Sequence, residues 1–181
     1  MTTDQKGAIA EACIAAAAIK LGIDVYRPVA EGGRCDLIFG IGPELLRVQC
    51  KWARLIGDVV IVRCYTFRRT RDSYRKTTYS ASEVDVIAAY CDDLDRAFLI
   101  PIERVASRPT VQLRIAPTRN NQRRLINWAD DFDFAAKLEE RQGAIAQLGE
   151  RLRGTQKVAG SSPAGSTSLE LLDEVIDVAG A

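Results

Sequence analysis

The sequence of 181 residues contains no histidine, and this absence excludes several kinds of active site. A Ser-His or Cys-His pair needs an imidazole, and so does a zinc site with histidine ligands. Any catalysis must therefore come from carboxylates, lysine, arginine, amides or thiols. The five cysteines are odd in number and form no C-x-x-C pair, so we expect neither a zinc nor a disulfide framework. A reducing, cytoplasmic compartment is the prediction, such as the bacterial nucleoid region or its organellar equivalent.

Long hydrophobic runs and a strong net charge are also lacking. The Ala-rich run over residues 7–19 is too short to cross a bilayer, and residues 1–6 do not resemble the start of a signal peptide. The formal net charge is +1, so charge has to be examined segment by segment. Hydrophobic residues make up 47% of the chain, which is enough to form the core of one domain. We expect a soluble protein without membrane contact.

The pattern of hydrophobic residues predicts an α/β domain that starts with a helix and continues as a meander of strands. The helix is predicted over residues 5–21. Its apolar stripe consists of Ile9, Cys13, Ala16, Ala17 and Leu21. Strands are predicted over residues 23–29, 35–39, 45–53, 59–67, 97–102 and 111–115, and residues 82–90 fit either a helix or a strand. We expect a mixed or antiparallel central sheet flanked by helices.

Several polar residues are predicted to meet on one face of this sheet. With a period of two, Arg47, Gln49 and Lys51 share a face. The preceding strand carries Asp36, and the short connection favours antiparallel pairing, which brings Asp36 to the same face. Glu11 stands in a helical run of Ala and Ile, where a carboxylate is costly unless Lys51 or a bound cation compensates it.

These side chains have the chemistry of a site that cleaves phosphodiesters with the help of a metal ion. Carboxylate and amide oxygens suit Mg²⁺ or Mn²⁺, so we expect Glu11, Asp36 and Gln49 to bind the metal. The metal would activate a water molecule, and Lys51 would orient that water or stabilise the transition state. The alternative is that each residue belongs to a solvated sheet or helix surface.

The order of these residues resembles the PD-(D/E)XK nuclease superfamily. A helical Glu11, a strand with Asp36 and the next strand with Gln49-Cys50-Lys51 occupy the positions of the family motif. Within the superfamily, the small group I intron homing endonucleases are most similar, and Holliday-junction resolvases are more distant. The resemblance covers residues 5–134 and includes the segments 83–90, 96–102 and 119–130.

The resemblance implies a restriction-endonuclease-like nuclease domain over residues 1–135 that acts on double-stranded DNA as a homodimer or homotetramer. The motif residues would be catalytic, with Mg²⁺ or Mn²⁺ as cofactor. Two residues depart from the family pattern: Cys35 replaces a loosely kept proline, and Gln49 replaces the acid of most members. A neutral ligand at this position weakens cation affinity.

Two basic segments are predicted to contact DNA. Residues 47–76 hold nine basic and two acidic residues, a local charge of +7 that favours binding to phosphates. The segment 119–124 combines arginines, which pair with guanine, with amides, which pair with adenine. The predicted DNA-binding residues are Arg68, Arg69, Arg71, Arg75, Lys76, Arg119, Asn120, Asn121, Gln122 and Arg123. The alternatives are a solvated loop in the first segment and a helix cap around Asn120 in the second.

Residues 136–181 are expected to form a largely disordered tail. The stretch 157–168 is rich in Gly, Ser, Ala and Pro, and residues 169–178 could form a short acidic helix. Residues 147–151 and 159–164 can be written in codons that resemble the D-arm and T-arm of a tRNA. We hypothesise that the reading frame crosses a tRNA gene, which leaves residues 144–167 without a designed structure. The coding DNA tests this, because complementary T-arm stems must be present.

The sequence therefore predicts a Mg²⁺-dependent DNA endonuclease, with a homing endonuclease that targets a tRNA gene as its most specific form. A Holliday-junction resolvase, a catalytically inactive DNA-binding module of the same fold and a purely structural α/β domain are the alternatives. Cleavage of branched DNA, binding without cleavage, and failure to bind DNA distinguish the three.

Overall fold

A mixed seven-stranded sheet forms the centre of the computed structural model, which describes residues 1–30, 32–69, 73–105, 108–118 and 123–159. In chain order the elements are α1 (Thr3–Lys20), β1 (Asp24–Tyr26), β2 (Leu37–Ile41), β3 (Glu44–Ile56), β4 (Val59–Arg63), β5 (Tyr65–Arg69), β6 (Tyr74–Thr78), β7 (Val86–Cys91), β8 (Arg96–Pro101), α2 (Ile102–Val105), β9 (Thr110–Arg114) and α3 (Phe134–Ala159). The parallel β3–β7 pair is embedded in an otherwise antiparallel sheet, which confirms the expected α/β class.

Helix α1 begins at a capping box, in which Thr2 and Gln5 satisfy each other's main-chain N–H groups. Its fully buried residues are Ala10, Ile14 and Ala18, so the buried stripe is displaced by one position from the predicted one. The small side chains of Ala10 and Ala18 let the helix approach the sheet closely. Larger members of the predicted stripe, such as Leu21, pack at the margin of the core instead.

Strand β3 exchanges partners along its length. Residues 44–48 pair with β2, residues 54–56 pair with β4, and residues 48–53 pair in parallel with β7. Among the described strands, residues 49–53 therefore pair with β7 alone. Between its pairing with β2 and its pairing with β4, this edge of β3 therefore has no partner strand among the described residues, and only side chains can contact it there.

Two hydrophobic clusters pack on the opposite faces of the sheet. Ile14, Phe39 and Val48 belong to the cluster beneath α1, whereas Ile87 and Phe98 belong to the other. Strand β7 contributes to both, and all six of its residues are buried. Its continuous apolar run is typical of a strand covered on both faces, which explains why its sequence fitted a helix equally well.

The strand predicted over residues 59–67 is divided in two at Cys64. The N–H of Cys64 donates to the carbonyl of Pro109 at 2.9 Å, and the chain leaves the main sheet there. Strands β5 and β6 then form a separate antiparallel ribbon. The first basic segment is therefore divided among β3, β4 and this ribbon, and its residues 70–72 lie outside the described residues.

The first compact unit of the structure extends over residues 1–147, and the division into a nuclease domain of residues 1–135 and a tail stays a prediction. Leu138 of α3 is fully buried, and Arg141 forms an ion pair with Glu44 at 3.1 Å. In the second unit, residues 148–159 are helical where disorder was expected, because this stretch is rich in Leu, Glu, Gln, Arg and Lys, which favour helices. Residues 160–181 lie outside the described residues, so their disorder stays a prediction.

Within the described ranges, no helix combines the length and hydrophobicity that a membrane span requires.

We expect Phe98→Ala to lower the free energy of unfolding by about 3–5 kcal/mol, because this ring is fully buried in the second cluster. Urea unfolding followed by circular dichroism measures the change. The control, Ile56→Ala, removes a side chain that is 58% exposed and should stay within about 0.5 kcal/mol of the parent. Equal losses in the two variants would contradict this assignment of the core.

Candidate active site

Asp36 lies where β2 separates from β3. Its N–H donates to the carbonyl of Val48 at 2.9 Å, which is the last main-chain bond between the two segments on this side. One residue pair further, its carboxylate oxygen Oδ2 accepts the N–H of Cys50 at 2.8 Å. The carboxylate thus replaces the main-chain acceptor that a longer β2 would have supplied, and this bond holds Asp36 at the open edge of β3.

Gln49 is buried against this carboxylate, with 6% of its surface exposed. Its amide nitrogen Nε2 donates to Asp36 Oδ2 and also to the Cys50 carbonyl oxygen, the latter at 3.3 Å. Because both neighbours are acceptors, the nitrogen and not the oxygen of the amide belongs in this place. The interpretation of Gln49 as part of a solvated face is therefore wrong.

Lys51 follows on the same face of β3, with its Nζ 4.9 Å from the ring centroid of Tyr79. Burial lowers the pKa of the Lys51 ammonium, and the charge of Asp36 acts in the opposite direction. Lys51 is therefore a partly desolvated cation beside a carboxylate.

Glu11 reaches the same place from the helix. It follows the buried Ala10, and it lines a cleft of about 400 Å³ together with Asp36. Burial is the main cause that raises the pKa of Glu11, and the neighbouring charge of Asp36 raises it further. The pKa of Asp36 is also raised, again chiefly by burial.

Arg27 is a residue of this cleft that the sequence did not reveal. Its Nη1 lies 3.9 Å from Glu11 Oε2, and its side chain also lines the cleft. The antiparallel pairing of β1 with β2 places Tyr26 opposite Ile38, so the next residue, Arg27, falls close to Asp36. The pairing of β1 with β2 is the feature that could have identified Arg27 as a residue of the cleft.

The oxygen atoms of the cleft suit a hard divalent cation. Glu11 and Asp36 offer carboxylates, and the Cys50 carbonyl faces the same amide nitrogen as Asp36 Oδ2. Two carboxylates that resist ionisation indicate negative charge in need of compensation. The described residues contain no group of three or more His, Cys, Asp or Glu placed to hold a metal, so the carbonyl and the amide would have to complete such a site. Gln49 would contribute its oxygen after its amide turns over.

Comparison with known proteins identifies the origin of this arrangement. The sequence pattern of the PD-(D/E)XK endonucleases matches residues 1–135. The chain belongs to the PD-(D/E)XK endonuclease family. This finding confirms the resemblance inferred from the motif, and nucleases of this family generally use divalent metals.

A solved structure shares the fold of this PD-(D/E)XK endonuclease. The bacterial homing endonuclease I-Ssp6803I matches with a TM-score of 0.66 and 23% sequence identity, over 81% of this chain and 99% of that chain. At this identity the likeness shows the fold alone. No curated protein sequence matches the chain significantly.

Some of the predicted DNA-binding residues of this PD-(D/E)XK endonuclease lie on the β5–β6 ribbon. Arg75 and Lys76 are exposed, and the register pairs Arg68 with Arg75 and Arg69 with Tyr74. Arg123 is also exposed. The other predicted contacts lie outside the described residues: Arg71, Arg119, Asn120, Asn121 and Gln122.

Arg47, which was counted in the first basic segment, is engaged within the fold. Its Nη2 and Nε bind the two carboxylate oxygens of Asp85 at 2.7 and 3.1 Å. Its guanidinium also donates to the carbonyls of Ala81 and Ser82. This fork satisfies the guanidinium, and the side-chain hydrogen bond from Arg47 lowers the pKa of Asp85.

We expect Asp36→Asn to raise the free energy of unfolding at pH 7, and the gain to shrink as the pH falls toward about 4. A carboxyl with a raised folded-state pKa holds its proton more tightly when folded, so its ionisation at higher pH destabilises the fold. Urea unfolding across this pH range measures the difference from the parent.

Asp131→Asn, at an exposed position, is the matched control and should show little change with pH. A loss of stability in Asp36→Asn at pH 7 would show that the carboxylate stabilises the sheet edge more than its burial costs.

Proposed function

We propose that this chain is a divalent-metal-dependent endonuclease that hydrolyses double-stranded DNA at the cleft between Glu11 and Asp36. The observation that carries the proposal is the meeting of Asp36, Gln49 and Lys51 at the open edge of β3, with Glu11 in the same cleft as Asp36. Membership of an endonuclease family supports the reaction class.

The residues of the cleft and of the adjoining edge of β3 would have different roles in phosphodiester hydrolysis. Glu11, Asp36 and the Cys50 carbonyl would hold Mg²⁺ or Mn²⁺, and Gln49 would add its amide oxygen. When bound, the metal supplies a water of lowered pKa and offsets charge on the phosphate. Lys51 Nζ donates a hydrogen bond to a phosphate oxygen as its negative charge grows.

Burial of Lys51 favours its interaction with a phosphate oxygen. A partly desolvated ammonium has less water to displace, so it would interact strongly with an anionic group bound near Asp36. Arg27 lines the same cleft with its guanidinium largely exposed, and it offers a second cation for the DNA backbone.

The β5–β6 ribbon provides a surface for DNA. A two-stranded ribbon fits the major groove, and the exposed Arg75 and Lys76 bring positive charge to it. Arg68 and Arg69 occupy the paired strand. The predicted contacts of residues 119–122 lie outside the described residues. Phosphate contacts of this kind make binding strongly dependent on salt.

The more specific form of the proposal is a homing endonuclease that targets a tRNA gene. The shared fold with a bacterial homing endonuclease supports it, and residues 147–151 and 159–164, which can be written in codons that resemble tRNA arms, are consistent with it. One cleft cuts one strand, so a homodimer or homotetramer would be needed to cut both. Gln49 favours a second candidate, an inactive DNA-binding module, because a neutral amide replaces an acid at the metal site.

We expect the parent protein to cleave DNA with Mg²⁺ and not with EDTA, and Asp36→Ala and Lys51→Ala to lose cleavage by about a hundredfold or more while they retain DNA binding. Plasmids that carry tRNA genes and four-way junctions are the substrates, and gel electrophoresis measures cleavage and binding. Lys20→Ala, at an exposed position of α1, is the matched control and should cleave like the parent.

The outcomes separate the alternatives. Preferential cleavage of four-way junctions indicates a resolvase, and binding without any cleavage by the parent indicates the inactive module. Failure to retain DNA at low salt leaves a structural domain.

We expect Gln49→Glu to bind Mg²⁺ more tightly than the parent but to be less stable in EDTA. A second carboxylate beside Asp36 replaces the amide donor and adds a buried negative charge, which a cation compensates. Thermal unfolding with and without Mg²⁺ measures both effects, since a ligand at a hundredfold excess over its Kd adds about 2.7 kcal/mol.

The exposed Gln112→Glu is the matched control and should show no added response to Mg²⁺. If Mg²⁺ raises the unfolding temperature of Gln49→Glu and of the parent equally, Gln49 does not contribute to the metal site.

A further inference from the structure

The ring of Tyr79 contacts two cations next to the candidate site. The Arg34 Cζ is 4.2 Å from the centroid of its ring, and the Lys51 Nζ is 4.9 Å from the same centroid. The residue is 4% exposed, and among the described residues its buried hydroxyl has no hydrogen-bond partner. The ring, and not the hydroxyl, is therefore the part of Tyr79 with identifiable contacts.

Arg34, one of these two cations, is held by four hydrogen bonds. Its guanidinium binds both carboxylate oxygens of Glu83, at 2.8 and 3.1 Å. It also donates to the Thr78 carbonyl at 2.6 Å and to the Thr66 hydroxyl at 3.1 Å. Thr66 belongs to β5 and Thr78 to β6, so Arg34 joins both strands of the ribbon to the segment that leads into Asp36.

Lys51 needs such a support. A lysine side chain has four rotatable bonds, and its ammonium is partly removed from water here. Among the described residues, Lys51 forms no salt bridge within 4.0 Å, so the π face of Tyr79 supplies part of the missing stabilisation.

We propose that Tyr79 is a positioning residue for Lys51: its ring, stacked on the guanidinium of Arg34, holds the Lys51 ammonium beside Asp36. This inference rests on the proposed function, in which Lys51 acts on the phosphate. It also makes the position of Lys51 dependent on the base of the β5–β6 ribbon, through Arg34.

A spectroscopic test does not require nuclease activity. In protein labelled with ¹³C at the lysine side-chain ε carbon, one of six lysine signals is Lys51, identified by its loss in Lys51→Arg. The ring current of Tyr79 should shift its ε protons upfield in the parent and in Tyr79→Phe, and the shift should disappear in Tyr79→Leu. Tyr65→Leu is the matched control, because it should move the signal of Lys76, whose Nζ lies 4.1 Å from the Tyr65 ring, and leave that of Lys51 in place.

Kinetics then test the role of this contact. At saturating plasmid DNA with Mg²⁺, Tyr79→Phe should cleave at the parent rate, and Tyr79→Leu should cleave about tenfold to a hundredfold more slowly with an unchanged Kd for DNA. If Tyr79→Leu does not fold, Arg34→Lys, which weakens the stack but keeps the ring, should move the Lys51 signal part of the way and slow cleavage less.

The two ideas fail differently. A parent protein that does not cleave any DNA overturns the proposed function, and the Lys51 signal still decides whether the ring positions the ammonium. An unshifted Lys51 signal in the parent, or parent-like cleavage by a folded Tyr79→Leu, overturns the inference and leaves the nuclease proposal standing. Loss of cleavage in Tyr79→Phe would also overturn it, because the hydroxyl would then be the active part.

Discussion

The hydrogen bond from the Cys50 N–H to the Asp36 carboxylate is the constraint on which the candidate site depends. In this bond a side chain accepts where a main-chain carbonyl would otherwise accept. The bond therefore marks the point at which the β2–β3 pairing stops while β3 continues. The same carboxylate oxygen accepts the Gln49 amide, which draws that side chain into the gap between β2 and β4. The same carboxylate oxygen thus marks the separation of the two strands and brings the polar side chains together.

The site carries an electrostatic cost that the rest of the protein must offset. Burial makes the two acids harder to ionise and Lys51 easier to deprotonate. Groups with such displaced titration are frequent in functional sites, where the stabilising partner is a ligand. By contrast, Arg47 and Asp85 form a satisfied pair whose charges favour the fold. One sheet thus holds a satisfied pair of charges and, in the candidate site, a set of charges whose pKa values are displaced by burial.

Much of this arrangement follows from local rules. The alternation of β3 and the short connection from β2 were enough to put Asp36, Gln49 and Lys51 on one face, because both features depend on neighbouring residues. The phase of the α1 stripe was wrong by one residue, since the close packing of Ala10 and Ala18 is decided by the sheet beneath them. Neither Arg27 nor Tyr79 was assigned to the site, because Arg27 depends on the pairing of β1 with β2, and Tyr79 depends on side-chain contacts with Arg34 and Lys51 that no periodicity encodes.

The burial of Gln49 also escaped prediction. Strand alternation assigned it to a polar face, and that face is covered here because the second hydrophobic cluster extends along β7. Likewise, the chain leaves the main sheet at Cys64, where the Cys64 N–H donates to the carbonyl of Pro109, and no local sequence pattern encodes this hydrogen bond. Long-range contacts therefore decided the details that matter most for chemistry.

Strand β3 contributes side chains to both hydrophobic clusters, with Val48 on one face and Ala53 on the other. Detaching it would uncover both clusters together and remove the pairing of β2, β4 and β7 in the same step. The local opening energy of β3 must then approach that of global unfolding. Gln49 and Lys51 are carried by this strand, so opening motions that would disturb the alignment of these two side chains are rare.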